Sequence, residues 1–423
     1  MGMDSTHTNE WDVVVIGGGP AGMMAAGQAA ERGANVLLVE KNDSLGKKLL
    51  ITGGGRCNVT NAEPDVRKLL SKFKESEQFL FSAFSMWGVR ETLDFFNKKG
   101  METKVEAEQR VFPLSNKAHS VWSVMVEYIN KSGVTILSNS PVKELLLENG
   151  IIAGVILKNK KEVRGKSVIL ATGGTSHPET GSTGDSFKWL SDTGHRVVQP
   201  TASLVPIAVK NEWVARVAGL TLPKVKIKLL QNSIKQEESK GKILFTHVGL
   251  SGPTILNLSS SVGELLKYGE VVISLDILPE LDHSMLNSKL QEIFKLEDKK
   301  KFKNSLKSLV PTSLAPVIVG LSKIDPDKQC NSVTREERLS LIELLKNLDL
   351  EVLGLLGEDK AITTSGGIDL TQVDFKTMQS RLFDNLYVVG DVLNIDRPSG
   401  GYSLQLCWTT GFVAGKSVLI SGR

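Results

Sequence analysis

The feature that most constrains this chain lies between Trp11 and Asn61, where an apolar run, Val13 to Ile16, leads into Gly17-x-Gly19-x-x-Gly22. A helical pattern follows from Pro20 to about Arg32, and a second apolar strand then closes on Glu40. That succession is a dinucleotide-binding βαβ unit. Gly17 permits the tight turn out of the strand, Gly19 has no Cβ to obstruct a pyrophosphate, and Gly22 lets helix and sheet pack closely. Ala21 belongs to the same cradle. The phosphates would rest on unpaired N–H groups at the positive end of the helix. Glu40, with Lys41 beside it, is placed to accept hydrogen bonds from a ribose diol, which favours an unphosphorylated adenosine ribose. A glycine fingerprint alone also fits an ordinary βαβ turn. Here the preceding strand, the following helix and the acid at the second strand's end are all present.

Beyond the acid come Lys47 and Lys48, then a second glycine loop, Gly53, Gly54 and Gly55, running into Arg56, Cys57 and Asn58. Backbone of that kind suits a polyphosphate or a flat ring. Up to this point NAD and FAD fit equally well.

At 423 residues the chain exceeds one core, so two or three domains are expected. A net charge of +4 is small for that length and does not by itself argue for nucleic acid or an anionic membrane. Cys57, Cys330 and Cys407 form neither a C-x-x-C pair nor a metal cluster. They indicate no metal and a reduced, cytoplasmic setting. No apolar run reaches the roughly 18 residues of a membrane span, and MGMDSTHTNE lacks a signal peptide's apolar stretch. Gly2 with Thr6 matches a loose myristoylation pattern, read here as coincidence.

Further along, Phe79 to Gly100 reads as one core helix ending on Gly100, and Ser115 as a helix cap, with His119 facing solvent. Val134 to Leu157 gives short strands in a meander. A buried strand from Ser167 ends in Ala171-Thr172-Gly173-Gly174. Thr180 to His195 holds two glycines before a helix with Asp185 near its start. Pro200 to Leu230 turns strand-like and then polar to Gly241, Ser251 and Pro253 open a helix, and Asp282 to Leu348 is almost wholly helical in pattern. The lysines of KLEDKKKFKNSLKSL read as a solvated helix face, with RNA contact the sharper alternative. Finally the strand Leu386–Val389 ends in Gly390-Asp391, and Gly400-Gly401 opens a helix to about Leu419.

Several of these segments resemble the BaiN-like, or YhiN-type, flavoproteins, NAD(P)/FAD-dependent oxidoreductases whose pattern includes GGGxAG, GxKLxxSGGGRCNxTN and FTHxGLSGP. The resemblance covers nearly the whole chain. It is most specific at Gly46 to Asn61, at Phe245 to Pro253 and at Gly400 to Tyr402. It implies an α/β fold: a Rossmann-like FAD domain of the two-dinucleotide-binding type, a parallel sheet plus a β-meander, built from residues 1–200 and 350–423. A β-rich, substrate-facing insertion, 201–280, and a helical insertion, 281–349, interrupt it. The ligand implied is FAD. Val142 would pass the adenine, Ala171 to Gly174 would return the chain to the nucleotide, and Asp391 would take the ribityl chain where the family often has Glu. The bare helix start at Gly400, Gly401 and Tyr402 would lie against the ring, its partial charge favouring reduced flavin.

No second G-x-G-x-x-G follows Asn61, so hydride would reach the flavin from a small organic substrate or from a transiently docked NAD(P)H. His247, Arg56 and Tyr402 are the candidate catalytic residues, Cys57 being read as quiet packing. Partners implied are a small-molecule substrate, no nucleic acid and no membrane. The alternatives are a flavin-dependent tRNA-modifying protein, disfavoured by charge, and an FAD-binding protein without turnover.

Overall fold

A continuous apolar run, rather than an alternating one, marks a strand buried on both faces, and Val13, Val14 and Val15 are all fully buried. The computed structural model describes residues 10–357, 361 and 363–419, so the Gly2–Thr6 pattern lies outside the described residues. Trp11–Ile16 is the middle of a parallel array: Thr135–Leu137, Val36–Val39, Trp11–Ile16, Glu162–Leu170 and Leu386–Val388 lie side by side in that order. The outer part of Glu162–Leu170 also pairs antiparallel with Ile151–Leu157, and that strand with Val142–Glu148, which makes the meander. Helices Pro20–Glu31 and Tyr402–Ser417 pack against each other through Gly411 and Gly415, where an added Cβ would stand 2.4 Å from the carbonyls of Ala21 and Ala25.

The described chain divides into two compact units, residues 1–203 with 358–423 and residues 204–357, each with its own apolar core. The second is built on a closed barrel, Ile207–Val209, Gly249–Ser251, Ile234–Phe245, Thr221–Gln231, Val271–Asp276 and Leu348–Leu355. Along Thr221–Gln231, Val225, Ile227 and Leu229 point inward while Lys224, Lys226 and Lys228 point out, as a strand's two-residue period requires. Helices Pro253–Leu265, His283–Leu296, Ala315–Leu321 and Arg335–Lys346 bury their apolar faces in the same core, so the β-rich and helical segments share one interior.

Four local expectations change. Phe79 to Gly100 is two helices, Glu77–Met86 and Val89–Lys98, because Trp87 is extended and Gly88 caps the second. Thr135–Leu137 joins the parallel sheet beside Val36–Val39 rather than the meander. Ser115 is not the helix cap: the helix starts after Lys117, and the Ser115 hydroxyl takes the Lys117 N–H at 3.3 Å. The polar stretch before Gly241 is strand, since outward lysines and glutamates on a barrel wall cost nothing in burial.

Candidate functional site

Strands of a parallel sheet release their chain at the carboxyl edge, and a crevice forms there. Gly17 leaves the first strand at φ +103°, where an added Cβ would meet the Ala171 carbonyl oxygen at 2.5 Å. An added Cβ at Gly22 would stand 1.9 Å from the Gly17 carbonyl oxygen, so only glycine permits this approach of helix to turn. Gly19, by contrast, has nothing within 4 Å of where its Cβ would be: it faces open space at the start of the helix. That space is a cavity whose walls belong entirely to the first unit.

The cavity runs along the strand ends. At one end Glu40, 7% exposed, accepts the Gly18 N–H at 2.7 Å and the Asn42 N–H at 2.8 Å, which fixes its carboxylate beside the glycine turn. Gly17, Gly19 and Ala21 follow, with Val142 and Ala171, Thr172 and Gly173 on the wall. At the other end are Gly390 and Asp391, after the strand Leu386–Val388. Three strand spacings separate the two ends, about 14 Å.

Asp391 is held by a residue the sequence reading passed over. Arg397, 1% exposed in its side chain, donates to Asp391 Oδ1, to the Ile395 carbonyl at 2.8 Å and to Ser403 Oγ at 3.1 Å. Burial of a guanidinium leaves no trace in periodicity, so the sequence carries no signal for it. Ser182, Trp189, Thr363, Ser403 and Leu404 likewise line the cavity unannounced.

The lysines diverge. Lys41 donates to Thr183 Oγ1 at 2.6 Å and to Asp185 Oδ2 at 2.7 Å, tying the segment before Asp185–Asp192 to the nucleotide half. Burial alone would raise the Asp185 carboxyl, but the bonds from Lys41 and Thr183 bring it below its usual value. Lys47 and Lys48 both line the cavity, Lys47 pairing with Asp43 at 2.9 Å and Lys48 donating to Ser176 Oγ at 3.1 Å. Burial pulls the Lys48 ammonium below its usual pKa, with Asp391 opposing.

Gly22, Gly53, Gly54, Arg56, Cys57, Asn58, Gly174, Gly400, Gly401 and Tyr402 lie outside the cavity's lining. Gly53, Gly54 and Gly55 all have positive φ and are exposed. Arg56 bonds Glu106 at 2.5 Å and Asn116 at 2.6 Å and lies 4.0 Å over the Phe112 ring. Asn58 Oδ1 accepts the Val111 N–H at 3.2 Å. Cys57 is fully buried, and burial pushes its thiol up to about 12. The Tyr402 ring packs edge-on against Phe73, and burial raises its hydroxyl above the usual value. Ser403, Leu404 and Cys407 are the positions of that helix that reach the cavity. His247 is exposed on the turn between Phe245 and Gly249 of the second unit. No cluster of metal-ligating side chains occurs among the described residues, and no described helix is long and apolar enough to cross a membrane.

The model of the HI0933-like protein Rossmann domain matches residues 11–417. The chain belongs to the HI0933-like family. Within it, this HI0933-like chain is 29% identical over 407 residues to a 3-dehydro-bile acid delta(4,6)-reductase of Clostridium scindens, covering 95% of this chain and 98% of that one. It is 28% identical to a ribosomal RNA dihydrouridine synthase of Escherichia coli, covering 97% and 98%. Among solved structures, 3-ketosteroid delta1-dehydrogenase from Sterolibacterium denitrificans aligns with a TM-score of 0.54 at 13% identity, covering 97% and 99%, a likeness of fold. The resemblance to BaiN-like and YhiN-type flavoproteins therefore holds over the whole length of these relatives. The HI0933-like chain is an FAD-dependent oxidoreductase with a Rossmann-like fold.

Proposed function

We propose that the enzyme reduces a carbon–carbon double bond conjugated with a carbonyl group. What carries this reading is the chemistry shared by the two relatives matched end to end. A delta(4,6) bile acid oxidised at position 3 has its double bonds conjugated with a ketone, and dihydrouridine is uridine with the ring double bond next to a carbonyl saturated. Both reactions add hydride to the carbon distal to the carbonyl and a proton to the nearer one.

The cavity fits FAD. An acid stands at the adenosine end, an open glycine turn at the phosphates, and a second acid two strands further on. Bound FAD would supply two-electron chemistry there, with transiently docked NAD(P)H as the candidate hydride donor. The chain's part is positioning. Gly19 and Ala21 would present N–H groups to the phosphates, since the Gly17 N–H is taken by the Val39 carbonyl at 2.8 Å and Pro20 has none, while Glu40 would take the ribose and Asp391 the ribityl hydroxyls. Arg397 holds the Asp391 carboxylate in place. Arg56 and Tyr402 of the first unit, and separately His247 of the second, are the groups to test for carbonyl binding and proton delivery. Three unpaired cysteines suit a reducing, cytoplasmic compartment.

A small enone is the substrate favoured by the modest charge of +4. A second reading, a uracil ring in ribosomal RNA, is favoured by two dihydrouridine synthases, from Escherichia coli and Haemophilus influenzae, each matched over 98% of its length. The experiment begins with the absorbance spectrum of purified protein, then anaerobic mixing with NADH or NADPH. The reduced enzyme is then offered a 3-oxo-4-ene steroid or protein-free ribosomal RNA. Reoxidation by the steroid with saturated product supports the first reading, and gain of dihydrouridine in the RNA supports the second. Protein that stays colourless with excess FAD refutes both.

A further inference from the structure

Lys48 holds an unusual position. The Gly46 N–H donates to the Gly18 carbonyl at 2.9 Å, which ties the start of the helix Lys47–Gly55 to the phosphate turn. Lys47 and Lys48 both line the cavity, but their ammonium groups part, the first to the Asp43 carboxylate and the second to Ser176. The Lys48 ammonium has one hydroxyl partner, Ser176 Oγ at 3.1 Å, and among the described residues no carboxylate within 4 Å. Burial disfavours its charge, while the carboxylate of Asp391, already bonded by Arg397, favours it from further away.

A half-buried cation on a cavity wall, with a hydroxyl but no carboxylate against it, has lost part of its hydration without a compensating charge. Such a group is retained where a ligand brings the missing negative charge. Bound FAD offers two such charges, the pyrophosphate and the ring system once reduced. The pyrophosphate is served by the glycine turn at the end of the first strand. The Lys48 ammonium, held by Ser176 on the cavity wall, acts electrostatically on the Asp391 carboxylate, which stands two strand spacings, about 10 Å, along the sheet from that turn.

We propose that Lys48 is the counter-charge for the reduced, anionic flavin ring and so raises the midpoint potential of the bound cofactor. This rests on the FAD reading above. Two electrons and one proton enter the ring as hydride from a nicotinamide or another two-electron donor, leaving one net negative charge. Lys48 acts here in its ammonium form. It stabilises that charge without giving up its proton.

The test is the midpoint potential of FAD-loaded wild type, Lys48→Met, Lys48→Gln and Lys48→Arg, by equilibrium reductive titration against a reference dye. FAD dissociation constants are taken on the same proteins. Both neutral variants should shift the ratio of reduced to oxidised flavin at least about tenfold toward oxidised, about 30 mV for a two-electron couple. Lys48→Arg should stay near wild type, and FAD affinity should change less than about tenfold in all three. Unchanged potential in Lys48→Met or Lys48→Gln overturns the proposal. So does loss of FAD binding in both neutral variants, which would make Lys48 a ligand holding the cofactor in place. Wild type that never binds FAD instead sinks the functional reading.

Discussion

Replacing Gly19 by alanine separates the cofactor's needs from the fold's. Gly19 has φ −76° and ψ −178°, a backbone alanine adopts freely, and its added methyl would meet no protein atom within 4 Å. Losing glycine at a helix cap costs about 0.5–1 kcal/mol, and stiffening the unfolded chain returns about 0.4–1 kcal/mol. The net effect on folding is therefore within about 1 kcal/mol, a shift of under about 4 °C in Tm for a unit of this size. The same methyl stands where a phosphate oxygen would approach the backbone at about 2.9 Å. Displacing it loses one charge-assisted hydrogen bond, about 1.5–3 kcal/mol, or roughly 10- to 150-fold in FAD affinity. Fluorescence titration of the apoprotein with FAD, beside thermal denaturation without it, reads both numbers. A variant with unchanged melting and an FAD affinity within about threefold of wild type refutes the placement of the pyrophosphate over Gly19.

Gly22→Ala should do the reverse and lower the apoprotein's Tm by the cost of overpacking, about 1–3 kcal/mol, because its Cβ would stand 1.9 Å from the Gly17 oxygen; unchanged melting would contradict the close helix–turn contact. Burial pushes the thiols of both Cys57 and Cys407 up to about 12, so native protein at pH 8 should take up iodoacetamide at neither, and labelling at either in the folded state would count against their burial. Cys57→Ser should leave flavin turnover as it is, which excludes a redox role. His195, 4% exposed between Thr193 and Ser380, has its pKa lowered by burial, so the unfolded chain binds the extra proton first. Stability should fall as pH drops through about 6.5 and be unaffected above it; the urea midpoint should fall less between pH 7 and pH 5 in His195→Gln, and an equal fall would remove His195 from the account.

The nucleotide half was legible because its physics is local. Turn, helix start and terminal acid are set by Gly17, Gly19, Gly22 and Glu40 within one short stretch, and the structure gathers three of these on the cavity, with Gly22 packed just behind. The break at Trp87-Gly88 was not legible, since apolar spacing continues across it and only backbone geometry ends the first helix. Thr135–Leu137 looked like meander because its neighbours in sequence are meander; its partner Val36–Val39 lies almost a hundred residues away. Arg397 escaped notice for a similar reason, as its value comes from Asp391 and Ser403 being brought to it by the fold. The glycine loop at Gly53 to Gly55 shows the opposite limit: its composition announces a ligand surface, yet its residues stand outside the cavity.

One consequence follows from the short ribbon Val197–Ser203 with Thr363–Ile368. Ser203 and Thr363 are directly opposed across it, so the polypeptide departs and returns within about 5.5 Å. Everything between those two residues hangs from a doorway one hairpin wide. Exchanging the second unit for a turn of a few residues, or for a different barrel, would leave the first unit's parallel sheet with the same hydrogen-bonded pairs. A nucleotide cradle joined to its insertion in this way can have that insertion changed while every residue lining its cavity stays the same.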